Sequence, residues 1–368
     1  MSDSTDTHEE VRGYNVIAVE AWIATHVPAF QPPVRWTALL GGHSNLTFRI
    51  TDCHGRHAVI RRPPTGELLP KAHDMHREWQ LISALGPTAV PVPRALGFCS
   101  DTAITGAPFY LMGLIDGHPL YSAADTSRWV PFDNRRKVGF SFIDVLADLH
   151  SVDPDAVGLG QLGKRDSYIG RQLRAWYRSW TASVEPAQYD DPRAHSLRRY
   201  FQTHLPEQGP IRVVHGDYGL HNCLVGSDGA VAAVVDWELA ALGDPLADLA
   251  YALNTWPDPS DDFPPRADSA LAGPGFPTRT ELRDRYSRRT GRDLSHLDYY
   301  IGFNRWKSAC ILHGVYARYT SGKKSSEGIA VDELRAGIDR ELVLAEQAVA
   351  RLGSAGQFSD QSLTAAGS

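Results

Sequence analysis

Residues 211–222, IRVVHGDYGLHN, place a carboxylate, Asp217, in a loop directly after an apolar run, and Asn222 follows five positions later. The apolar segments of residues 223–235 then flank a glycine-containing turn and end in a second carboxylate, Asp236. Because a hairpin of this length returns its outer ends to one another, it predicts Asn222 beside Asp236, with Asp217 on the adjacent loop. Two oxygen ligands and a further carboxylate suit Mg²⁺, which takes few protein ligands and completes its octahedron with phosphate and water.

The order of these parts makes a functional interpretation stronger than any one motif would. An isolated His-x-Asp, or an Asp followed by Asn at plus five, is common in proteins. Here a strand, an Asp, an Asn, a hairpin and a second Asp follow one another without interruption. Buried carboxylates are costly unless a partner or a metal ion compensates them. We therefore interpret Asp217, Asn222 and Asp236 as one catalytic site, with Asn222 and Asp236 as the metal ligands.

The composition predicts a globular protein with two lobes. The chain has 368 residues, 42% hydrophobic and 22% charged, which is more than one ordinary core accommodates. Its net charge of -6 and pI near 6.2 argue against nucleic acid or an anionic membrane as a partner. No apolar run reaches the roughly 20 residues of a spanning helix, and the polar, acidic start differs from a signal peptide. We expect a cytoplasmic protein without a disulfide framework, since the cysteines lie far apart: Cys53, Cys99, Cys223 and Cys310.

The hydrophobic pattern changes period along the chain. Residues 37–61 alternate around a short turn as a hairpin does, residues 76–85 have helical spacing, and two extended segments follow. From residue 127 onward the period is about 3.6, interrupted by the strand-rich segment described above. The predicted helices cover residues 140–150, 168–184, 194–205, 280–290, 297–319 and 331–352. The predicted divisions are a helix-containing extension (1–34), a nucleotide-binding lobe (35–115), a catalytic and acceptor-binding lobe (116–352) and a disordered tail (353–368).

Two segments, HGDYGLHN and VVDWELAALGDPLADLA, resemble the aminoglycoside phosphotransferase family, which shares the protein-kinase-like fold with choline and homoserine kinases. The likeness continues upstream through GGHSNLTFRI, AVIRRPPTG, MHREWQLISAL and PVPRALGF, so that it covers most of residues 35–255. The stretch RRPPTGELLP most resembles the branch fused to, or encoded beside, acyl-CoA dehydrogenases. The resemblance implies an α+β fold of two lobes: an N-terminal antiparallel sheet with a helix, and a mostly helical C-terminal lobe.

The resemblance also implies a role for each residue of the site. Asp217 would accept or orient the proton of a substrate hydroxyl, and Asn222 and Asp236 would hold Mg²⁺ on the phosphates of ATP. Phosphoryl transfer requires mainly positioning and charge neutralisation, which these three residues can provide. The strand that contains Met112 would offer its main chain to the adenine edge.

The nucleotide-binding lobe carries the main departure from the family pattern. At the end of the third strand, where the pattern has a lysine paired with a helix glutamate, this sequence has Arg61, and its expected partner is Glu78. Arginine keeps its charge and binds bidentately, so it is not equivalent to lysine, and a surface ion pair is the alternative interpretation. Small residues at the first hairpin turn would let backbone N–H groups approach phosphate: Gly41, Gly42, Ser44 and Asn45.

Other residues near the motif allow two interpretations each. Glu238 would either reach the metal through water or lie solvated on the following loop. Asp248 would cap a helix or, as the resemblance implies, brace the catalytic loop through His215, and we favour structural roles for Asp248 and His215. Gly216 stands where regulated protein kinases carry an arginine, so regulation by activation-loop phosphorylation and a protein substrate are not expected.

The acceptor is the least defined part of the prediction. Carboxylates of residues 254–277 would suit a polycationic aminoglycoside, whereas Arg305 and Lys307, beside Trp306, would suit an anionic acceptor. Neither set decides between an antibiotic and a hydroxyacyl metabolite. Two other functions stay open: a nucleotide-binding pseudokinase, favoured by Arg61, and a metal-dependent phosphohydrolase, disfavoured because such sites usually supply several histidines.

Overall fold

The computed structural model describes residues 11–39, 45–66, 74–258, 261–263, 266–322 and 330–364, with side chains described as far as residue 352. Gly41, Gly42 and Ser44 of the predicted phosphate-binding turn lie outside the described residues. The strands are β1 (Arg35–Ala38), β2 (Leu46–Thr51), β3 (His57–Arg62), β4 (Ala95–Cys99), β5 (Phe109–Gly113), β6 (Arg212–Val214), β7 (Cys223–Val225), β8 (Val231–Val234) and β9 (Ala241–Gly243).

Eleven α-helices are present in the described residues. They are α1 (Val16–His26), α2 (Met75–Leu85), α3 (Thr102–Thr105), α4 (Ala123–Trp129), α5 (Arg135–Ser151), α6 (Tyr168–Ala187), α7 (Pro192–Thr203), α8 (Pro245–Asn254), α9 (Arg279–Thr290), α10 (Leu297–Thr320) and α11 (Val331–Thr364). None of these helices is both long enough and apolar enough to cross a membrane.

The first lobe is built on a five-stranded antiparallel sheet with the strand order β1-β2-β3-β5-β4. Alternation along the central strands separates its two faces, as the period of two requires. On β5, Phe109 and Leu111 pack in a core formed with α1, whereas Tyr110 and Met112 face the core that contains α2. The face towards α2 is therefore the one that meets the second lobe.

Helix α2 brings a buried acid to this face. Its N-cap is Asp74, whose side chain accepts from the backbone N–H of Arg77, and its apolar residues Leu81 and Leu85 are fully buried. Glu78 lies on the same buried side, 1% exposed. Since Leu81 lies three positions after Glu78, the hydrophobic stripe that holds the helix also fixes where this carboxylate points.

The second lobe packs α5, α6, α8 and α10 around one large core, which includes the fully buried Trp180 and Trp306. Two short ladders lie within it. Strand β6 pairs with β9, and β7 pairs with β8 in the register Cys223 to Val234. These ladders carry the segment that precedes Asp217 and the hairpin that precedes Asp236.

The predicted fold class is confirmed: an N-terminal antiparallel sheet with helices is followed by a mostly helical lobe. The structure adds α3 and α4, which the sequence pattern did not indicate. It also continues α11 to Thr364, into the segment predicted to be a disordered tail from residue 353. Amphipathic spacing had ended the predicted helix at residue 352, because the following residues are small and polar.

Gly139 in α5 offers a test of this packing. A Cβ at this position would lie 2.4 Å from the ring of Pro277 and 2.9 Å from the indole of Trp256. We expect Gly139→Ala to lower the free energy of unfolding, measured in urea, by about 1–2 kcal/mol, because overpacking outweighs the gain of up to about 1 kcal/mol in helix propensity.

The matched control for this experiment is Gly163→Ala, where an added Cβ would meet nothing within 4 Å. Its free energy of unfolding should equal or exceed that of the wild type. An equal stability of Gly139→Ala and the wild type would show that Pro277 moves away without cost, contrary to our interpretation.

Candidate active site

Asn222 connects the loop that carries Asp217 with the hairpin that ends at Asp236. Its amide nitrogen donates to the backbone carbonyl of Asp217 at 3.0 Å and to Oδ2 of the same residue at 3.1 Å. The backbone carbonyl oxygen of Asn222 accepts from the backbone N–H of Val235, the residue before Asp236, at 2.9 Å. The structure thus brings the loop of residues 215–222 and the following hairpin together at Asn222. The side-chain amide oxygen of Asn222 is the atom suited to a metal.

The carboxylate of Asp217 is oriented by two more side chains. Tyr251 on α8 donates its hydroxyl to Oδ1, and Nε2 of His221 lies 3.3 Å from Oδ2. Burial alone would raise the pKa of Asp217, but the hydrogen bonds from His221 and Tyr251 outweigh it and hold the pKa below its ordinary value. The group is therefore ionised at neutral pH and able to accept a proton. Sequence reasoning did not identify Tyr251, which no motif marks.

Arg61 connects both lobes at the second carboxylate. Its guanidinium pairs with Oδ1 of Asp236, and its Nε lies 3.3 Å from Oε2 of Glu78. The Arg61 side chain is 11% exposed and that of Glu78 1%, so the alternative of a surface ion pair is wrong. Burial alone would lower the pKa of Arg61, but Glu78, Tyr110 and Asp236 together raise it. Removing one partner of such a buried pair typically costs about 3–5 kcal/mol.

Glu78 is held by Tyr110 on β5 and by Asn45, which directly precedes β2. Tyr110 donates its hydroxyl to Oε2 at 2.8 Å, and Nδ2 of Asn45 lies 3.4 Å from Oε1. Asn45, predicted at the phosphate-binding turn, thus contacts the helix acid. Met112 is buried on the same sheet face, paired in register with Val59 and Ala95.

Asp236 and Glu238 lie beside Glu78, and one carboxylate oxygen from each lies within 4.8 Å of the others. Burial and the nearby charge of Asp236 raise the pKa of Glu238. Carboxylate and amide oxygens are the donors that Mg²⁺ prefers, so the residues present fit this ion. Asp236 has φ of 66°, a conformation uncommon for residues other than glycine and concentrated at functional sites.

The buried carboxylate of Asp248 anchors the backbone of the loop that precedes Asp217. Asp248 accepts the backbone N–H of His215 at 2.5 Å and that of Gly216 at 2.8 Å. Nε2 of His215 lies 3.0 Å from the carbonyl of Val235, which ties the loop to the hairpin. The N-cap of α8 is Asp244, so the interpretation of Asp248 as a helix cap is wrong, and it contacts the backbone of the loop directly.

Gly216 has φ of +84°, and a Cβ there would lie 2.7 Å from the carbonyl oxygen of Leu239. No arginine fits this position without moving the backbone. The close approach gives a structural reason for the glycine that distinguishes this loop from regulated protein kinases.

The charged residues predicted for the acceptor site separate in the structure. Arg305 contacts Glu341 and the carbonyl of Asn254, whereas Lys307 lies over aromatic rings near Asp217. Trp306 is fully buried and belongs to the core, donating to a backbone carbonyl. Three predicted carboxylates already have polar partners: Asp261 with Arg279, Asp268 with Arg266, and Asp262 with Gln347.

The chain is similar to known proteins over most of its length. A sequence profile described as the phosphotransferase enzyme family matches residues 35–291. Mouse acyl-CoA dehydrogenase family member 10 is 36% identical over 296 residues, which are 77% of this chain and 26% of that protein. The chain thus spans about a quarter of the length of this relative.

Solved structures support the same fold. A Ralstonia eutropha protein assigned as an aminoglycoside phosphotransferase superposes with a TM-score of 0.76 at 29% identity, covering 91% of this chain and 99% of that one. An aminoglycoside phosphotransferase solved with GDP and kanamycin superposes with a TM-score of 0.56 at 17% identity, covering 91% and 99%. The second likeness concerns the fold alone.

The residues that brace the loop predict how stability depends on pH. Burial lowers the pKa of His150 and of His215 despite the nearby charge of Asp248. At pH values below about 6.5, the ordinary pKa of histidine, the unfolded chain therefore binds more protons than the folded protein. The free energy of unfolding then decreases as the pH is lowered. Each buried histidine contributes at most about 1.4 kcal/mol to this fall by pH 5.5.

We expect His150→Gln to lose less of its free energy of unfolding than the wild type between pH 7.5 and 5.5, by up to about 1.4 kcal/mol. Urea unfolding at both pH values measures the difference. His204→Gln, at an exposed position after α7, is the control and should reproduce the wild-type fall. If His150→Gln falls as far as the wild type, His150 does not gain its charge on unfolding in this range.

Proposed function

The chain belongs to the phosphotransferase enzyme family, and from this premise we propose that it is a small-molecule kinase dependent on ATP and Mg²⁺, with Asp217 as the base. It would transfer the γ-phosphoryl group to a hydroxyl of its acceptor. The observation that carries the proposal is the contact of Asn222 with Asp217 on one side and with the hairpin that ends in Asp236 on the other.

In this mechanism Asp217 accepts or orients the proton of the attacking hydroxyl. Tyr251 and Asn222 hold the two carboxylate oxygens, which limits the rotation of the group and keeps it aimed at the acceptor. The lowered pKa keeps it ionised before the acceptor binds. General-base assistance of this kind typically contributes about 10²–10⁴-fold to a rate.

Asn222 and Asp236 would hold Mg²⁺ on the nucleotide phosphates, with Glu238 close enough to contribute through water. When bound, the ion neutralises charge on the phosphates and aligns them for transfer. Arg61 would serve as the fixed cation of the nucleotide-binding lobe. It already contacts Asp236, so the nucleotide phosphates and this carboxylate would share one guanidinium.

A cavity of about 280 Å³ beside His221 offers room for an acceptor, with Tyr121, Leu120 and Leu271 in its wall. Its mixed apolar and hydroxyl lining suits a small hydroxylated molecule. The name of the mouse relative refers to acyl-CoA dehydrogenases, which supports a hydroxyacyl metabolite as acceptor beside the aminoglycosides named for the solved structures.

A nucleotide-binding pseudokinase is the second candidate, and Arg61 in place of lysine is what favours it. Such a protein has no need for an oriented base, whereas Asp217 here receives contacts from three side chains: Asn222, His221 and Tyr251. This arrangement supports turnover over sensing. Stabilisation by MgATP or MgGTP without phosphorylation of any acceptor would support the pseudokinase instead.

We expect Asp217→Asn to lower the rate of ADP release with MgATP and a phosphorylated acceptor by at least about a hundredfold, because the isosteric amide cannot take a proton. Its thermal shift with MgATP should be retained. Asp228→Asn, in the exposed turn between β7 and β8, is the matched control and should keep the wild-type rate. An unchanged rate in Asp217→Asn would remove this residue from the mechanism.

Arg61 provides an independent test of nucleotide binding. Arg61→Met should raise the KM for ATP about tenfold or more, because a charge-assisted hydrogen bond of about 1.5–3 kcal/mol is lost. Arg61→Lys restores a cation and should recover most of this loss, with folding of both variants checked by thermal melting. A KM for ATP that is unchanged in Arg61→Met would show that Arg61 serves only the ion pairs with Glu78 and Asp236.

A further inference from the structure

Lys307 on α10 occupies an unusual place for a cation. Its ammonium lies 5.3 Å from the ring centroid of Tyr251 and 5.7 Å from that of Trp176, so that aromatic rings from α8 and α6 both contact it. The side chain is only partly exposed. Cation–π contacts stabilise such a group, but they leave its three N–H donors without an acceptor oxygen.

Within the described part of the chain, Lys307 forms no ion pair within 4 Å and no hydrogen bond to another residue. Burial lowers the pKa of Lys307, and the more distant charges of Asp248 and Asp217 counter this shift. Arg305 on the same helix, by contrast, contacts Glu341 and a backbone carbonyl. Unlike the guanidinium of Arg305, the ammonium of Lys307 therefore retains capacity for a ligand.

The same ring that contacts Lys307 also orients the base. Tyr251 donates its hydroxyl to Asp217 and presents its face to the ammonium. A ligand group held by Lys307 would thus lie one aromatic ring away from the carboxylate that receives the hydroxyl proton. This distance suits two functional groups of one small acceptor, its reacting hydroxyl and a second, negatively charged group.

We propose that Lys307 binds an anionic oxygen group of the acceptor, so that the enzyme phosphorylates hydroxylated anions and disfavours polycations. The inference rests on the proposed kinase function and narrows its acceptor class. A carboxylate and a phosphate present the same charged oxygen to an ammonium. A hydroxycarboxylate and a compact hydroxyl-bearing phosphate ester are therefore the two sources of this chemistry.

Carboxylates of residues 254–277, which would attract a polycationic aminoglycoside, are already paired with arginines in the structure. Asp261 is paired with Arg279, and Asp268 with Arg266. A polycation would have to displace these pairs and also approach the ammonium of Lys307 near the base. Like charges brought together in a partly buried site disfavour binding, which would exclude such an acceptor.

The experiment compares matched acceptors with MgATP, measuring ADP release and the mass of the product. The anionic arm contains 2-, 3- and 4-hydroxybutyrate and glycerol 3-phosphate, the neutral arm contains the corresponding hydroxybutyramides and glycerol, and the cationic arm contains kanamycin. We expect transfer to at least one anionic acceptor, with a kcat/KM at least tenfold above that of its neutral analogue where one exists. The phosphate ester and the carboxylates of the anionic arm distinguish the two sources of the anionic group.

Lys307→Met should raise the KM of the anionic acceptor at least tenfold while leaving the KM for ATP unchanged, and Lys307→Arg should recover much of the loss. Lys137→Met, at an exposed position paired with Asp228, is the control and should behave as the wild type. A structural role for Lys307 would instead change the rates for all acceptors equally. Such a uniform change would overturn the proposal.

The outcomes for acceptor class separate this inference from the proposed function. Transfer to kanamycin or to neutral acceptors, with none to the anions, would overturn the role of Lys307 and leave the kinase function standing. If neither these acceptors nor a broad metabolite panel is phosphorylated by folded protein, both the kinase function and this inference fail.

Discussion

The geometry of the candidate site depends on one buried carboxylate. Asp248 accepts the backbone N–H groups of His215 and Gly216, the two residues that precede the proposed base, Asp217. A buried backbone N–H group without a partner would cost about 1–3 kcal/mol. The two hydrogen bonds to Asp248 therefore favour this one conformation of the loop. With the loop fixed, Asp217 emerges at a defined point, where Asn222 and Tyr251 can meet it. The side chain that takes no part in the proposed chemistry thus determines where the chemistry can occur.

The sequence predicted those parts of the molecule that local pattern controls. Alternation around a glycine turn predicted the β2–β3 hairpin, and the spacing of Leu81 and Leu85 predicted α2. The order of polar residues along one loop and hairpin also predicted Asn222 beside Asp236, with Asp217 on the adjacent loop, and in the structure Asn222 contacts Asp217 and Val235. In each case the residues that matter lie close together in the chain, so short-range geometry is sufficient to place them.

Contacts between distant segments were beyond such reasoning. Tyr251 meets Asp217 because α8 packs behind the catalytic loop, and His150 meets Asp248 across 98 positions of chain. Neither residue belongs to a motif, and an aromatic or a histidine at helical spacing usually indicates only a core position. The separation of Arg305 from Lys307 had the same origin. Arg305 and Lys307 are two positions apart on α10, so their side chains point to different sides of the helix. Only the packing of α6, α8 and α11 shows which side faces Asp217.

The presence of arginine rather than lysine at position 61 affects how the charge at the junction of the lobes depends on pH. A lysine at the junction of the lobes is a group whose proton can be lost when burial and neighbours change, whereas a guanidinium keeps its charge throughout the range in which proteins stay folded. Buried between Glu78 and Asp236, this one is held in its ionic form still more firmly. The guanidinium at the junction of the lobes therefore keeps its positive charge in acidic and alkaline surroundings alike, and the sensitivity of the candidate site to acidity must come from the carboxylates and histidines around it.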